Sequence, residues 1–534
     1  MSAGEIERIA YRYAGLDATR RAAFRRKASQ TGISYRNFPV VPIARHDRRV
    51  PLSYAQERLW FLWKLDPASI AYNITRAVRL DGKLNVDVVR EVVSMLVQRH
   101  ACLHTRFEES DGIAAQVVDP TIGHEWVEHD LRALCGTERA EQAESLIREL
   151  SARPFDLEHG PLLRVALLKE SDERHILHFA VHHIVSDAGS LELLTAEFVC
   201  AYEAICDGRP VPLVPLTIQY ADYAYWQREW LDGPALDEQI EYWRKHLGAA
   251  NAPVELPVTA RHTGLRSAQG ARVGKIVGIR TVRWLRELAN QRSVTMPTLL
   301  GAAYCLLLSR YAGQRDVRIG VPVAGRNRAG TELLIGFFVN TLVLRADLDA
   351  VDTFGGLLEQ IDQNMAAAQN HQDLPFARLV DALHPERSLG ETPLFQAVFN
   401  YLADSGATAS LRGLTVSSLP RSVDTARFDL VLGVIDSAEM EVAFNYAIDL
   451  FDGATVRRLL GHYVEILEQV AAGDDVALGS IVLTVDRCWP RDRADHGFSS
   501  VVGRVSARAA QMGHARAVVC EGESLSYERL EAWS

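Results

Sequence analysis

Two adjacent histidines and a nearby aspartate, within His182-His183-Ile184-Val185-Ser186-Asp187, are the residues best suited by type and spacing to do chemistry. An imidazole takes or gives a proton near neutral pH, which suits general acid–base work. A carboxylate so close can orient such a ring, cap a helix or complete a metal site. Three readings therefore stand. A histidine pair at a strand end is ordinarily structural, because buried polar groups need hydrogen-bond partners. A metal site would use the same residue types, yet no cysteine or histidine cluster with ligand spacing lies nearby. The third reading is proton transfer.

The flanking residues predict how the group is held. Ile176-Leu177-His178-Phe179-Ala180-Val181 is nearly all apolar and reads as a strand buried on both faces. Strand side chains alternate, so His182 and His183 should point to opposite sides, with only one of them facing a cavity. Leu191, Leu193, Leu194, Phe198, Val199, Tyr202 and Ile205 then recur at helical spacing up to Gly208 and Pro210. Ser186 or Asp187 would cap that helix.

Length and composition bound the answer. A chain of 534 residues has room for about three to four domain-sized units. With 48% hydrophobic and 24% charged residues it has an ordinary globular composition. A net charge of -10 argues against bulk nucleic-acid binding. No apolar run reaches membrane-spanning length, and the first residues carry no signal-peptide core. Seven scattered cysteines without a CxxC pair fit a reducing cytoplasm, where the protein is expected.

Residues 1–45 form an N-terminal segment with an Arg-rich helix from Asp17 to Lys27, stopped by Gly32. Arg20, Arg21, Arg25, Arg26 and Lys27 make either a solvated face or a docking face for an acidic partner. A first α/β half is expected over 46–210, with a short amphipathic helix within 51–67 ended by Pro67, a strand at 71–82 and a helix from Leu84 to His100. A further strand after 99–109, helix 137–151 and strands 162–169 and 174–182 complete it. A Pro-rich link at 208–215 leads to a second half over 211–483. Two aromatic-rich helices open that half. Strands are expected at 272–280, 316–323, 339–347, 393–402, 411–418, 427–436 and 439–447, and helices at 281–291, 297–312, 353–370 and 453–472. Residues 484–497 read as a linker, and 498–534 as the opening of a further domain too short to form its own core.

Seven segments in family order resemble the signatures of condensation domains of nonribosomal peptide synthetases. They are PLSYAQERLWFL (51–62), RHACLHTRF (99–107), VHHIVSDAGS (181–190), YADYAYW (220–226), IGFFVNTLVLR (335–345), HQDLPF (371–376) and ERSLGETPLFQ (386–396). The tail AVVCEGESLSYERLEA resembles the start of an adenylation domain. Two positions depart from the pattern. Ala188 stands where a glycine usually follows the motif Asp, with Gly189 one place later, and His104 replaces an arginine.

The resemblance implies an α/β, two-lobed fold like chloramphenicol acetyltransferase, a pseudo-dimer with a central tunnel between its lobes. It implies an acyltransferase that joins a donor acyl or peptidyl thioester to the amine of an acceptor aminoacyl thioester. Both substrates would ride on the 4'-phosphopantetheine arms of carrier domains, with no cofactor or metal of the domain's own. The partners implied are the two carriers and an adjacent adenylation domain, with neither nucleic acid nor membrane.

By the same resemblance His183 is the catalytic imidazole, His182 supports the structure, and Asp187 pairs with an arginine, Arg326 before Arg345. Asn340 is a polar group at the tunnel. Ser186, Ala188, Gly189, His104, Tyr223 and Trp226 are candidate substrate or tunnel residues, the two aromatics equally readable as packing. An epimerisation domain of the same fold, or a non-catalytic domain recruiting a carrier or tailoring enzyme, remain as alternatives.

Overall fold

Residues 175–182 are largely buried on both faces, so the strand they form belongs inside a sheet that is covered on both sides. A computed structural model describes residues 3–30, 39–43, 49–231, 233–248, 254–258, 269–383, 394–403, 411–419, 426–437, 439–473, 475–483, 514, 516–520 and 523–526. The chain divides into two units, residues 1–482 and 483–534.

Two helices open the first unit, α1 (Ala3–Ala14) and α2 (Ala18–Gln30). Asp17 caps α2, its Oδ1 accepting from Arg20 N at 2.8 Å. Arg21 turns inward, 3.3 Å from Glu229 and over the Tyr225 ring, so this part of the basic face is packed and not solvated. Gly32 lies outside the described residues. Next come β1 (Arg49–Pro51), α3 (Tyr54–Leu65), β2 (Asn73–Gly82), α4 (Val86–Arg99), β3 (Thr105–Ser110), β4 (Ile113–Val118) and β5 (Glu125–Asp130). After them follow α5 (Gly136–Ser151), β6 (Leu163–Ser171), β7 (Arg174–His182), α6 (Ala188–Cys206), α7 (Tyr220–Trp230) and α8 (Pro234–Leu247).

The later part of the unit holds β8 (Gly270–Ile276), α9 (Ile279–Gln291), α10 (Met296–Ala312), β9 (Asp316–Val323), β10 (Asn340–Asp347), α11 (Phe354–Asn370) and α12 (Phe376–Leu383). It ends with β11 (Ala397–Ala403), β12 (Leu414–Ser418), β13 (Leu430–Asp436), β14 (Glu441–Ala447) and α13 (Gly453–Ala471). The second unit contributes an antiparallel pair, β15 (Arg516–Cys520) and β16 (Glu523–Ser526). Residues 484–497 lie outside the described residues. No helix among the described residues is long and apolar enough to cross a membrane.

Two large sheets organise the first unit. One has the order β12-β2-β7-β6-β5, the other β10-β9-β11-β13-β14-β8, and a small sheet β1-β4-β3 stands beside the first. β7 lies at the centre of its sheet, antiparallel to β2 and β6, with His182 opposite Asn73. Val88, Val89, Val92, Val93, Leu96 and Val97 form the buried stripe of α4, at the spacing of an amphipathic helix. α10 is buried continuously from Thr298 to Ser309, which suits its nearly uninterrupted apolar sequence at the centre of the second lobe.

The two lobes are interlocked. α7, beyond the division expected at 210/211, packs into the first core through Tyr220, Tyr223 and Ala224, beside Leu334, Ile335 and Phe338. β12 also reaches back, pairing with β2 at the edge of the first sheet. The closest approach is at Gly336, where a Cβ would stand 1.9 Å from the Tyr220 ring. Tyr220 cannot yield easily, because its hydroxyl bonds to Phe337 O at 2.6 Å and Ser53 Oγ at 2.8 Å. Gly336→Ala should therefore overpack this junction and cost about 1–3 kcal/mol, lowering the urea midpoint. An unchanged midpoint would contradict this packing.

Candidate active site

β7 ends at His182, and one 3₁₀ turn over His183–Val185 carries the chain into α6. The turn, not strand alternation, separates the two imidazoles. His182 is buried, accepts from Ile184 N at its Nδ1 (3.1 Å) and meets the Phe155 ring edge-on at 5.9 Å. Burial, reinforced by Arg427 and Arg164, pushes its pKa down to about 3. Its place is that of a structural, uncharged ring.

His183 is half-buried and turns toward the other lobe. Its backbone N donates to Tyr72 O at 2.9 Å, and its ring meets Phe337 edge-on at 5.4 Å. Nε2 lies 2.6 Å from Nη1 of Arg427. A guanidinium only donates, so Nε2 carries its lone pair here and the ring is neutral. Burial, then the charges of Arg427 and His182, hold the His183 pKa well below its ordinary value, with the Ser186 backbone opposing the shift.

Behind the histidine sits a buried ion pair. Asp187 is 1% exposed and caps α6, Oδ1 accepting from Ser190 N at 2.8 Å. The same oxygen accepts from Arg326 Nη2 at 3.0 Å, while Oδ2 accepts from Phe338 N at 2.9 Å. Arg326 Nη1 donates to Thr331 O and Leu334 O, and its guanidinium covers the Phe338 ring at 4.2 Å. Ser190 Oγ accepts from Arg326 Nη2 and Gly336 N, and donates to Gly336 O. Gly325 makes the approach possible: its φ is +64°, and a Cβ there would meet Phe338 O at 2.1 Å.

The other residues singled out from sequence fall into three places. Arg345 is not at Asp187: its Nε donates to Asp316 Oδ1 at 2.8 Å, away from this pair. His104 is buried with Nδ1 2.8 Å from Val97 O, inside the first core and not on an open wall. Ser186 is buried beside Asp187, whereas Ala188 and Gly189 are exposed at the start of α6. A Cβ at Gly189 would come 3.3 Å from Arg326 Nε.

Tyr223, Trp226 and Asn340 line one cleft with Phe337 and Phe338, enclosing about 460 Å³ including open solvent. Phe337 touches both, meeting the His183 ring and lining this cleft. Asn340 is committed to the backbone, donating to Gln372 O and Leu374 O and accepting from Phe376 N. Tyr223 packs on Phe338 at 4.7 Å, and Trp226 lies under Arg328 at 4.8 Å. No group of three or more His, Cys, Asp or Glu is placed to hold a metal ion among the described residues.

Sequence reasoning misses Arg427, Phe337 and Ser190. Ser190 stands where a helix first turn would be satisfied, so its spacing from Asp187 is a usable signal. Phe337 lies inside one of the family signatures without any chemical mark of its own. Arg427 precedes β13 and is separated from His183 by 244 residues, with no local pattern to connect them.

Two expectations follow. Asp187→Ala leaves Arg326 half-sealed without its counter-charge and should cost about 3–5 kcal/mol, reducing folded yield and activity together. A well-folded, active variant would contradict the architectural role. In ¹⁵N-histidine NMR of the intact chain, the His183 ring should remain uncharged at about pH 6, below the ordinary imidazole value of about 6.5. A ring already protonated there would contradict the lowered pKa.

The chain matches the Condensation domain family over residues 46–488. It is 36% identical over 490 residues to the phosphinothricin tripeptide synthetase PhsC of Streptomyces viridochromogenes, covering 90% of this chain and 45% of that protein. It is 36% identical over 444 residues to tyrocidine synthase 3 of Brevibacillus parabrevis, covering 83% of this chain and 7% of that one. One of the linear gramicidin synthases of the same organism reaches 39% identity over 509 residues, 93% of this chain and 6% of its own length. The chain thus spans well under two thirds of these relatives. The crystal structure of the X-domain from teicoplanin biosynthesis superposes with a TM-score of 0.75 at 26% identity, over 83% of this chain and all of that one. The first condensation domain of the calcium-dependent antibiotic synthetase gives 0.68 at 21% identity, over 82% and 100%. The fold is the two-lobed α/β architecture of chloramphenicol acetyltransferase, and the chain belongs to the condensation domains of nonribosomal peptide synthetases.

Proposed function

We propose that this domain forms the amide bond between two carrier-tethered substrates. The amine of an acceptor aminoacyl thioester attacks the carbonyl carbon of a donor acyl or peptidyl thioester. The carbon–sulfur bond breaks, the donor arm keeps its thiol, and the lengthened chain is left on the acceptor. The observation that carries this reading is His183 Nε2, a lone-pair nitrogen on the turn that follows β7, where the two lobes meet.

The proton balance suits such a group. An α-amino group titrates near 8, so it needs little activation but must lose a proton as the bond forms. A placed imidazole takes that proton, a contribution on the order of 10²–10⁴-fold. The neutral state favoured for His183 is the state that can accept it. Holding two tethered reactants in one cleft adds a proximity advantage of several kcal/mol, roughly within the range measured for well-oriented intramolecular reactions. The tetrahedral oxyanion then needs a donor, and the backbone and polar groups near the turn are available for it.

The phosphopantetheine arms belong to the carriers, upstream donor and downstream acceptor, and the domain supplies no cofactor. Ala188 adds a methyl at the exposed start of α6, which would narrow the approach of such an arm to the backbone. Residues 498–534 are read as the start of an adjacent adenylation domain. A four-domain nonribosomal peptide synthetase contains a part similar in fold to this chain, with a TM-score of 0.75 at 20% identity.

A binding role has one observation in its favour: the teicoplanin X-domain, of the same fold, forms a complex with OxyB. Intact-mass spectrometry of two loaded carrier proteins separates the readings. His183→Ala should lower the rate of amide product by roughly 10²-fold or more. Product at near wild-type rate would remove His183 from the chemistry. Exchange of the donor α-proton into deuterated water without amide formation would instead favour epimerisation.

A further inference from the structure

The contact between Arg427 and His183 is not explained by the reaction. A general base needs its lone pair free, yet Nε2 is occupied by a guanidinium at 2.6 Å. The contact is built from both lobes. Arg427 lies just before β13, a strand of the six-stranded sheet, whereas His183 follows β7 of the five-stranded one. The arginine is further registered on the chain preceding β2: its Nε donates to Ala71 O at 2.9 Å, and its guanidinium stands over the Tyr72 ring at 5.5 Å. Tyr72 O in turn accepts from the His183 backbone N at 2.9 Å. Tyr72 thus touches both the arginine and the histidine.

We propose that Arg427 guards the reacting nitrogen: in the absence of acceptor it holds His183 Nε2, and the acceptor amine takes its place. This rests on the reading of His183 as the base.

The chemistry gives the guard a purpose. A donor thioester waiting beside a free imidazole is open to water as well as to the amine. Water would add through its oxygen to the thioester carbonyl and pass one proton to Nε2. The carbon–sulfur bond would then break and the thiolate recover that proton, giving a carboxylic acid and a free thiol. With Nε2 held by Arg427, water finds no base. Arg427 is exposed, so its guanidinium can turn outward without becoming a buried unpaired charge. Burial first, and then the charge of Arg427 beside the ring, also leave the imidazole uncharged and ready once uncovered.

The test compares hydrolysis and condensation in the intact chain. With a donor-loaded carrier and no acceptor, Arg427→Ala should raise thioester hydrolysis roughly tenfold or more, within what a positioned base contributes. The acceptor KM should fall, since no guanidinium has to be displaced, while kcat changes less. Arg427→Lys, which keeps the charge, should show a smaller rise and serves as the readout if the alanine variant folds poorly. In the double variant Arg427→Ala with His183→Ala, hydrolysis should return to the wild-type level. Unchanged hydrolysis in both single arginine variants, or a rise that survives removal of His183, overturns the guard. Condensation by His183→Ala alone decides the base separately: if amide formation is lost there while the arginine variants hydrolyse no faster, the guard fails and the base stands.

Discussion

One carboxylate inside the protein fixes everything around it. Asp187 is taken almost wholly out of water, and a buried charge is tolerated only when paired and hydrogen-bonded. Its partners come from three directions: the first turn of α6 through Ser190, the loop after β9 through Arg326, and the segment before β10 through Phe338 N. The carboxylate therefore ties the histidine-bearing turn to the second lobe at a defined distance. Arg326 extends the tie by donating to Thr331 O and Leu334 O, so the whole 326–338 segment is gathered onto the first core. Such a pair gives geometric definition more than net stability, since desolvation offsets much of the attraction.

From that tie the placement of His183 follows. The strand supplies rigidity up to His182, the 3₁₀ turn rotates the next ring toward Phe337, and Asp187 starts the helix that prevents the turn from unwinding. The neighbouring histidine is used oppositely: His182 is sealed, bonded to Ile184 N and kept uncharged, so it braces the turn. Two residues of the same type thus have different roles because one is inside the packing and the other lies at its edge.

The sequence makes much of this legible where chemistry and structure are contiguous. The run 176–181, the histidine pair and the helix start are neighbours in the chain, α4 and α13 carry strong apolar periodicity, and α10 is apolar almost throughout. β4 escapes a periodicity reading because it is short, although Asp111-Gly112, both with positive φ, is a hairpin turn that marks it. β5 is half-buried along most of its length, so its polar and apolar residues do not alternate cleanly. The return of β12 to the first sheet, the inward turn of Arg21 and the contact of Arg427 with His183 depend on topology, which local pattern does not encode. Arg345 shows the same limit: an arginine is a plausible partner for any buried carboxylate, and only the fold decides that it faces Asp316.

The central claim is that the acceptor amine meets His183 at Nε2. A crystal structure of the chain with a stable amide analogue of an aminoacyl-phosphopantetheine tests it most directly. The amine nitrogen should lie about 2.6–3.2 Å from Nε2, the reach required of a general base, with Arg427 turned away. An amine bound elsewhere, with the guanidinium still on the imidazole, would contradict it.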